Sequence, residues 1–365
     1  MIILKQIFSR LDSESSNCFI CISSPSISFN MAQRDASSSA CLASQPYAGR
    51  LGGNQEFILD PMKLENQHAL KRLPDASPFI SIPDIFNLRG FLEPELWKAA
   101  AIEFIGTLLL VWSTGFVAAH SSTAPPPQLS PTSGVYSTPI FLGPVMGGIC
   151  NTILLTLFIY SLGSASGAHL NPMITISTFT ARLSSFSRTV LYVAFQTAGG
   201  AVAGMLLRVS FGSRDFVAGG CQVDTSLVPT GDIFALEFMS DFMLIFLCFG
   251  VGLDPRQREN FGPALGPFLV GLSLGVISFL TGFARAGYAG ASMNPARCTG
   301  IFVGSGFPTW AWIVWIAPIS ACIVHGVVYW AFPPWTRPKA DSPDATLTPK
   351  KEGVQGFRVQ GFSNL

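Results

Sequence analysis

From residue 95 onward the chain alternates between long apolar runs and short polar interruptions, while both ends are dominated by polar residues. A helix needs about 20 apolar residues to cross ~30 Å of hydrocarbon. Six segments reach that length, at residues 97–119, 139–163, 189–207, 233–253, 263–284 and 310–332. The Pro-rich stretch 124–134 cannot continue a helix and separates the first two. Two of the connections do not read as loops. Residues 164–180 and 290–301 are too apolar and too rich in small residues for exposed turns, yet too short to cross a bilayer. They predict re-entrant segments, which are tolerated at membrane depth only where protein or a water-filled cavity surrounds them. Trp310, Trp312 and Trp315 at one end of the last span, with Tyr329 and Trp330 at the other, predict interfacial aromatic belts.

Charge sharpens this picture. Of 365 residues only 12% are Asp, Glu, Lys or Arg, about half of the ~25% usual in soluble domains. No lysine lies between Lys98 and Lys339, and no charge of either sign between Glu103 and Arg182. A water-soluble surface cannot be built from that. A soluble enzyme is therefore excluded, and residues 95–332 form an integral, multi-pass membrane domain. The segments 1–94 and 333–365, rich in small polar residues and proline, read as disordered tails. A net charge of +1 provides no field for nucleic acid. The eight cysteines include a lone Cys18-Phe19-Ile20-Cys21 but no second CxxC and no Cys/His cluster, so neither a disulfide framework nor a metal site is indicated. Nothing marks a cofactor. Lys98, Arg182, Arg188, Arg256, Arg258, Arg337 and Lys339 lie on the side of the amino terminus, against Arg208, Arg214, Arg285 and Arg297 on the other. That bias places both tails in the cytoplasm.

The chain also repeats itself. Leu142-Gly143-Pro144 returns as Leu265-Gly266-Pro267, and Ser166-Gly167-Ala168-His169-Leu170-Asn171-Pro172-Met173 returns at the same offset of 123 as Ala289-Gly290-Ala291-Ser292-Met293-Asn294-Pro295-Ala296. Upstream, Ala101-Ile102-Glu103-Phe104 matches Ala235-Leu236-Glu237-Phe238. Each half has three spans and one Asn-Pro segment after its second span. An odd number of spans inverts one copy relative to the other, an architecture that puts a functional site at the midplane. Asn is a good N-cap and Pro is preset for the first helical position. Each Asn-Pro therefore starts a short half-helix with its positive end near mid-membrane. Two such ends head to head, with amide donors beside them, pass a neutral polar solute and repel cations and protons.

On these repeated motifs, ending in Met293-Asn294-Pro295-Ala296-Arg297, the chain resembles the aquaporin, or major intrinsic protein, family over about residues 95–332. Cys298 directly after Asn-Pro-Ala-Arg, Cys221 after Gly219-Gly220, and the run Leu253-Asp254-Pro255-Arg256-Gln257 are similar to its X-intrinsic subgroup. The resemblance implies an all-α membrane protein with six transmembrane helices and two re-entrant half-helices. It further implies a homotetramer in membrane lipid, expected in the plasma membrane, that passively conducts water and small uncharged solutes such as glycerol, urea or hydrogen peroxide.

The implied pore residues are Asn171, Pro172, Asn294, Pro295 and Ala296 at the midplane, with a filter at Asn151, Gly282, Ala291 and Arg297. Gly282 and Ala291 leave that filter wide, and Asn151 adds a donor and an acceptor. Met173 stands where the family usually has alanine, and its flexible side chain is expected to crowd the cytoplasmic half of the constriction. Arg297 is an intramembrane cation, which marks function by default. Glu103 and Glu237 would each cost ~2.5–3.5 kcal/mol at the bilayer centre unless paired. They read as structural acids that accept hydrogen bonds from re-entrant backbone. His169 reads as a core histidine. Asp241, one turn after Glu237 and matching Thr107 of the first repeat, has no such account. Cys221 and Cys298 either pair outside the membrane or remain thiols. Two alternatives stand beside the channel. One is a proton-coupled secondary transporter using Glu237 and Asp241, since transporters share inverted repeats and broken helices. The other is a poorly conducting, adhesive relative.

Overall fold

The computed structural model describes residues 80–121, 139–254, 258–282 and 284–332, together with Leu64 and Gln67. The stretch 124–134 and most of both expected tails lie outside the described residues. The membrane part is built from α1 (Pro94–Ala118), α2 (Pro139–Ser166), α3 (Pro172–Thr180), α4 (Phe186–Phe211), α5 (Thr230–Cys248), α6 (Arg258–Thr281), α7 (Pro295–Gly304) and α8 (Ile313–Ala331). A π turn, Phe249–Leu253, extends α5. Six of these helices, all but α3 and α7, are long and apolar enough to cross a membrane. Local chemistry sets their ends. Ser185 caps α4 by accepting from the Arg188 amide, and Gly212 stops it in the left-handed conformation at φ 67°.

The two halves are interlocked. α1 packs on α2 and α4, and α5 packs on α6 and α8, while α2 and α6 join the halves. The short helices cross over: α7 sits against α4 of the first half, and α3 against α8 of the second. Glycine makes the α4–α7 seam possible. A Cβ on Gly200 or Gly204 would collide with the carbonyls of Ala296 and Gly300, and one on Gly300 or Gly304 with those of Gly200 and Gly204. Backbone therefore touches backbone there. Outside the helices, β1 (Ala119–Ser121) pairs antiparallel with β2 (Phe216–Ala218).

Two expectations need correction. Residues 80–94, which fall inside the expected tail, are packed onto the membrane part. Ile80 is buried. Its amide donates to the Arg182 carbonyl at 3.2 Å, and its own carbonyl accepts from Arg182 Nε and Nη2 at 3.1 and 2.8 Å. Phe86 then packs its ring on Phe179 and Phe186. A short apolar clasp is thus hidden in a polar composition. The aromatic belt is also only partly one. Trp310 and Tyr329 are buried. The Tyr329 hydroxyl donates to Asp254 Oδ2 at 3.0 Å, and Trp315 Nε1 donates to Thr299 Oγ1 at 2.9 Å. Trp312 remains exposed.

Candidate functional site

Asn171 and Asn294 cap α3 and α7 from extended backbone, each followed by proline. Asn171 Oδ1 accepts from the Met173 amide at 2.9 Å, and Asn294 Oδ1 from the Arg297 amide at 3.2 Å. The side-chain nitrogens reach across the repeat. Asn171 Nδ2 donates to the Met293 carbonyl at 2.7 Å, and Asn294 Nδ2 donates to the Leu170 carbonyl at 3.0 Å. Each of these carbonyls belongs to the residue before the other Asn, so the two helix starts are tied head to head. An amide nitrogen carries two hydrogens. One is spent on this tie, and the other is left for a visitor. The residues before each Asn, Leu170 and Met293, hold left-handed φ of 50° and 49°, a conformation that costs a non-glycine roughly 1–2 kcal/mol.

The buried acids hold those strained loops. Glu103 accepts from the amides of His169 and Leu170 at 3.0 and 2.6 Å, from Ser166 Oγ at 2.6 Å and from Gln196 Nε2 at 2.8 Å. Glu237 accepts from the Ser292 amide at 3.0 Å, from Ser292 Oγ at 2.5 Å and from the Tyr288 hydroxyl at 2.8 Å. Loop amides that have no helical partner thereby find one. His169 Nδ1 meets Thr175 Oγ1 at 3.1 Å, and Gln196 Nε2 donates to the same hydroxyl at 3.0 Å. The histidine thus joins the network around Glu103. Asp241 is fully buried, and neither of its carboxyl oxygens has a partner among the described residues. The Thr107 hydroxyl at the matching place is unpartnered too.

Both Asn residues open onto one cavity of about 460 Å³. One face of α2 (Pro144, Gly147, Asn151, Leu155, Ile159) and one face of α6 (Val270, Leu274, Ser278) line it at helical spacing, with Gly282 just past the end of α6. Ala291, Arg297 and His169 line it as well. Pro172, Met173, Pro295 and Ala296 do not. Met173 is fully buried, and its carbonyl accepts from Cys322 Sγ at 3.3 Å, on the α8 side. Its neighbour Ile174 faces the cavity instead. The expected crowding by Met173 is therefore not found; the phase of α3 turns it away. Gly282 has a second duty. A Cβ there would lie 2.9 Å from Cβ and Cγ of Pro144, so a side chain at this place would have to displace α2.

Arg297 is held from outside the motif. Its Nε donates to Thr114 Oγ1 at 3.3 Å, its Nη2 to the Gly219 carbonyl at 2.8 Å, and its Nη1 lies 3.1 Å from Cys221 Sγ. Gly219 belongs to the loop between α4 and α5, which pairs with the approach to α7. Gly220 N–H donates to the Ala289 carbonyl at 2.8 Å, Ala289 N–H to Gln222 at 3.2 Å, and Asp224 N–H to Gly287 at 2.8 Å. Cys221 and Cys298 form a disulfide that closes this ribbon, with Cα atoms 5.2 Å apart. Of the two options open in the sequence, the structure has the pair. Gln196, Thr114 and Ser278 escaped sequence reading. The only signal was a polar residue within an apolar span.

Comparison with known proteins gives the chain a family. The model of a family described as Major intrinsic protein matches residues 91–329. Aquaporin NIP3-1 of Oryza sativa subsp. japonica is 31% identical over 66% of this chain and 69% of its own. Aquaporin TIP4-1 of Zea mays is 30% identical over 71% and 91%. Aquaporin-4 of Mus musculus is 28% identical over 66% and 69%. The X-ray structure of the aquaglyceroporin from Plasmodium falciparum aligns at 19% identity with a TM-score of 0.48, covering 64% of this chain and 95% of that one.

Proposed function

Because the chain belongs to the major intrinsic protein family and is an integral multi-pass membrane protein, we propose that it is a passive channel for water and small uncharged solutes, with glycerol, urea and hydrogen peroxide as candidates. One observation carries the reading: the reciprocal ties of Asn171 and Asn294 in a shared cavity. They set two positive helix ends against each other and leave an amide hydrogen on each Asn for a passing oxygen. A cation or proton at that point meets positive dipoles with no counter-charge, whereas a neutral acceptor is stabilised. Arg297, donor-only and always charged, adds a second barrier of the same sign. The uses of Glu103 and Glu237 favour this reading over a proton-coupled transporter. Their oxygens are occupied by loop amides, hydroxyls and, for Glu103, an amide side chain, and neither acid nor Asp241 lines the cavity.

We further propose a homotetramer in the plasma membrane with both tails cytoplasmic. Stopped-flow swelling of proteoliposomes with a panel of solutes tests the function. Non-saturating flux of water and at least one small polyol or urea supports it. Flux that saturates and follows an imposed proton gradient would favour the transporter, and no flux from correctly inserted protein the adhesive relative.

A further inference from the structure

The Asn151–Ser278 contact within the cavity wall carries information beyond the family motifs. Asn151 Nδ2 lies 3.3 Å from Ser278 Oγ. The nitrogen and oxygen of such an amide are told apart by their hydrogen-bond network, and here the network decides. A serine hydroxyl has a single proton. Ser278 gives it to the carbonyl one turn back, Leu274 O, at 2.8 Å. Toward Asn151 its oxygen can only accept, so the amide must present its nitrogen. The Asn151 oxygen has no partner among the described residues, and the residue lines the cavity. An acceptor is thereby offered to whatever occupies that space. The next hydroxyl along α6 is spent differently: Thr281 Oγ1 donates to the Ile277 carbonyl at 2.8 Å and accepts from the Ala291 amide at 3.0 Å. Arg297, in the same cavity, has five N–H groups, of which its contacts with Thr114, Gly219 and Cys221 engage three. Acceptor and donors are therefore both on offer, on different helices.

Resting on the channel reading, we propose that Ser278 is a positioning residue for solute selection. It takes the Asn151 amide nitrogen and so fixes the Asn151 oxygen as the acceptor met by solutes that donate as well as accept hydrogen bonds, namely polyols and ureas. Water is the internal control. It donates and accepts too, but it is small enough to turn and meet either face of the amide, whereas a larger polyol or urea held at several points at once is not.

The test is stopped-flow permeability of proteoliposomes to water, glycerol and urea. In Ser278→Ala the amide is free to turn, and glycerol and urea permeability should fall about threefold relative to water, the worth of part of one hydrogen bond. Ser278→Thr, which retains a hydroxyl able to bond the preceding turn, should keep the unmutated ratio. In an Asn151→Ala background, Ser278→Ala should add nothing, because the group it positions is gone. An unchanged ratio in Ser278→Ala overturns the proposal. So does an equal shift with and without Asn151, which would mean that Ser278 acts through cavity shape. Unmutated protein that passes water but neither glycerol nor urea also overturns it, while leaving the channel standing. Unmutated protein that passes no water removes both.

Discussion

Asn294 uses one amide for two tasks, capping α7 with its oxygen and joining the opposite loop with its nitrogen. Asn294→Asp keeps the cap and destroys the tie, since a carboxylate oxygen would face the Leu170 carbonyl. It also places a negative charge between two positive helix ends. At equal surface abundance, solute flux should fall by about tenfold, or cation exclusion should be lost. Unchanged flux and unchanged exclusion would remove Asn294 from the site. Arg297 depends on a covalent neighbour. Gly219, which holds its Nη2, is two residues before Cys221, and Cys298 follows Arg297 directly. Cys221→Ser should destabilise the protein by about 2–4 kcal/mol and weaken solute selectivity. A dithiol reductant should do the same to the unmutated protein and nothing further to the variant. Thermal unfolding in detergent and the glycerol-to-water permeability ratio check both halves. Asp241 points the other way. A buried carboxyl without a partner is a cost, and the first repeat has Thr107 there. Asp241→Thr should raise stability by about 1–3 kcal/mol with water flux unchanged. Lost flux would give Asp241 a part in transport.

Among the elements, the α4–α7 seam has the least slack. Gly204→Val would force a side chain into the Gly300 carbonyl and should cost about 3 kcal/mol or more. Gly231→Ala, in the first turn of α5 with open space around its Cβ, should change stability by less than about 1 kcal/mol. Size-exclusion profiles and thermal midpoints separate the two. The elements also show what a sequence can reveal. α3 and α7 were legible because Asn-Pro occurs twice at matched distances, and cap chemistry fixes a helix start locally. The roles of Glu103 and Glu237 were legible because an unpaired acid in a span demands donors. The ribbon of residues 220–224 with 287–289 was not, since nothing in either strand names a partner more than sixty residues away. Met173 was misplaced because proline fixes where α3 begins but not which face it turns to the cavity. Trp310 and Tyr329 were misread for the same reason: aromatic residues near a helix end indicate depth, not direction.

For the whole molecule, the exterior is as informative as the cavity. Leu142, Met146, Ile149, Ile153 and Leu157 form an exposed apolar stripe along α2, a surface suited to lipid or to another copy of the chain. The proposed orientation, with both tails cytoplasmic, predicts that protease added to sealed cells spares tags at either end. Cleavage of one tag would contradict the assigned orientation. The central claim is that two opposed, positively ended half-helices let neutral solutes through and keep protons out. It is tested most directly by recording swelling and internal pH together in proteoliposomes carrying a trapped pH-sensitive dye. The account predicts rapid, non-saturating water flux with proton leakage no greater than in protein-free vesicles. Water flux accompanied by proton flux above that background, or flux that requires a proton gradient, would contradict it.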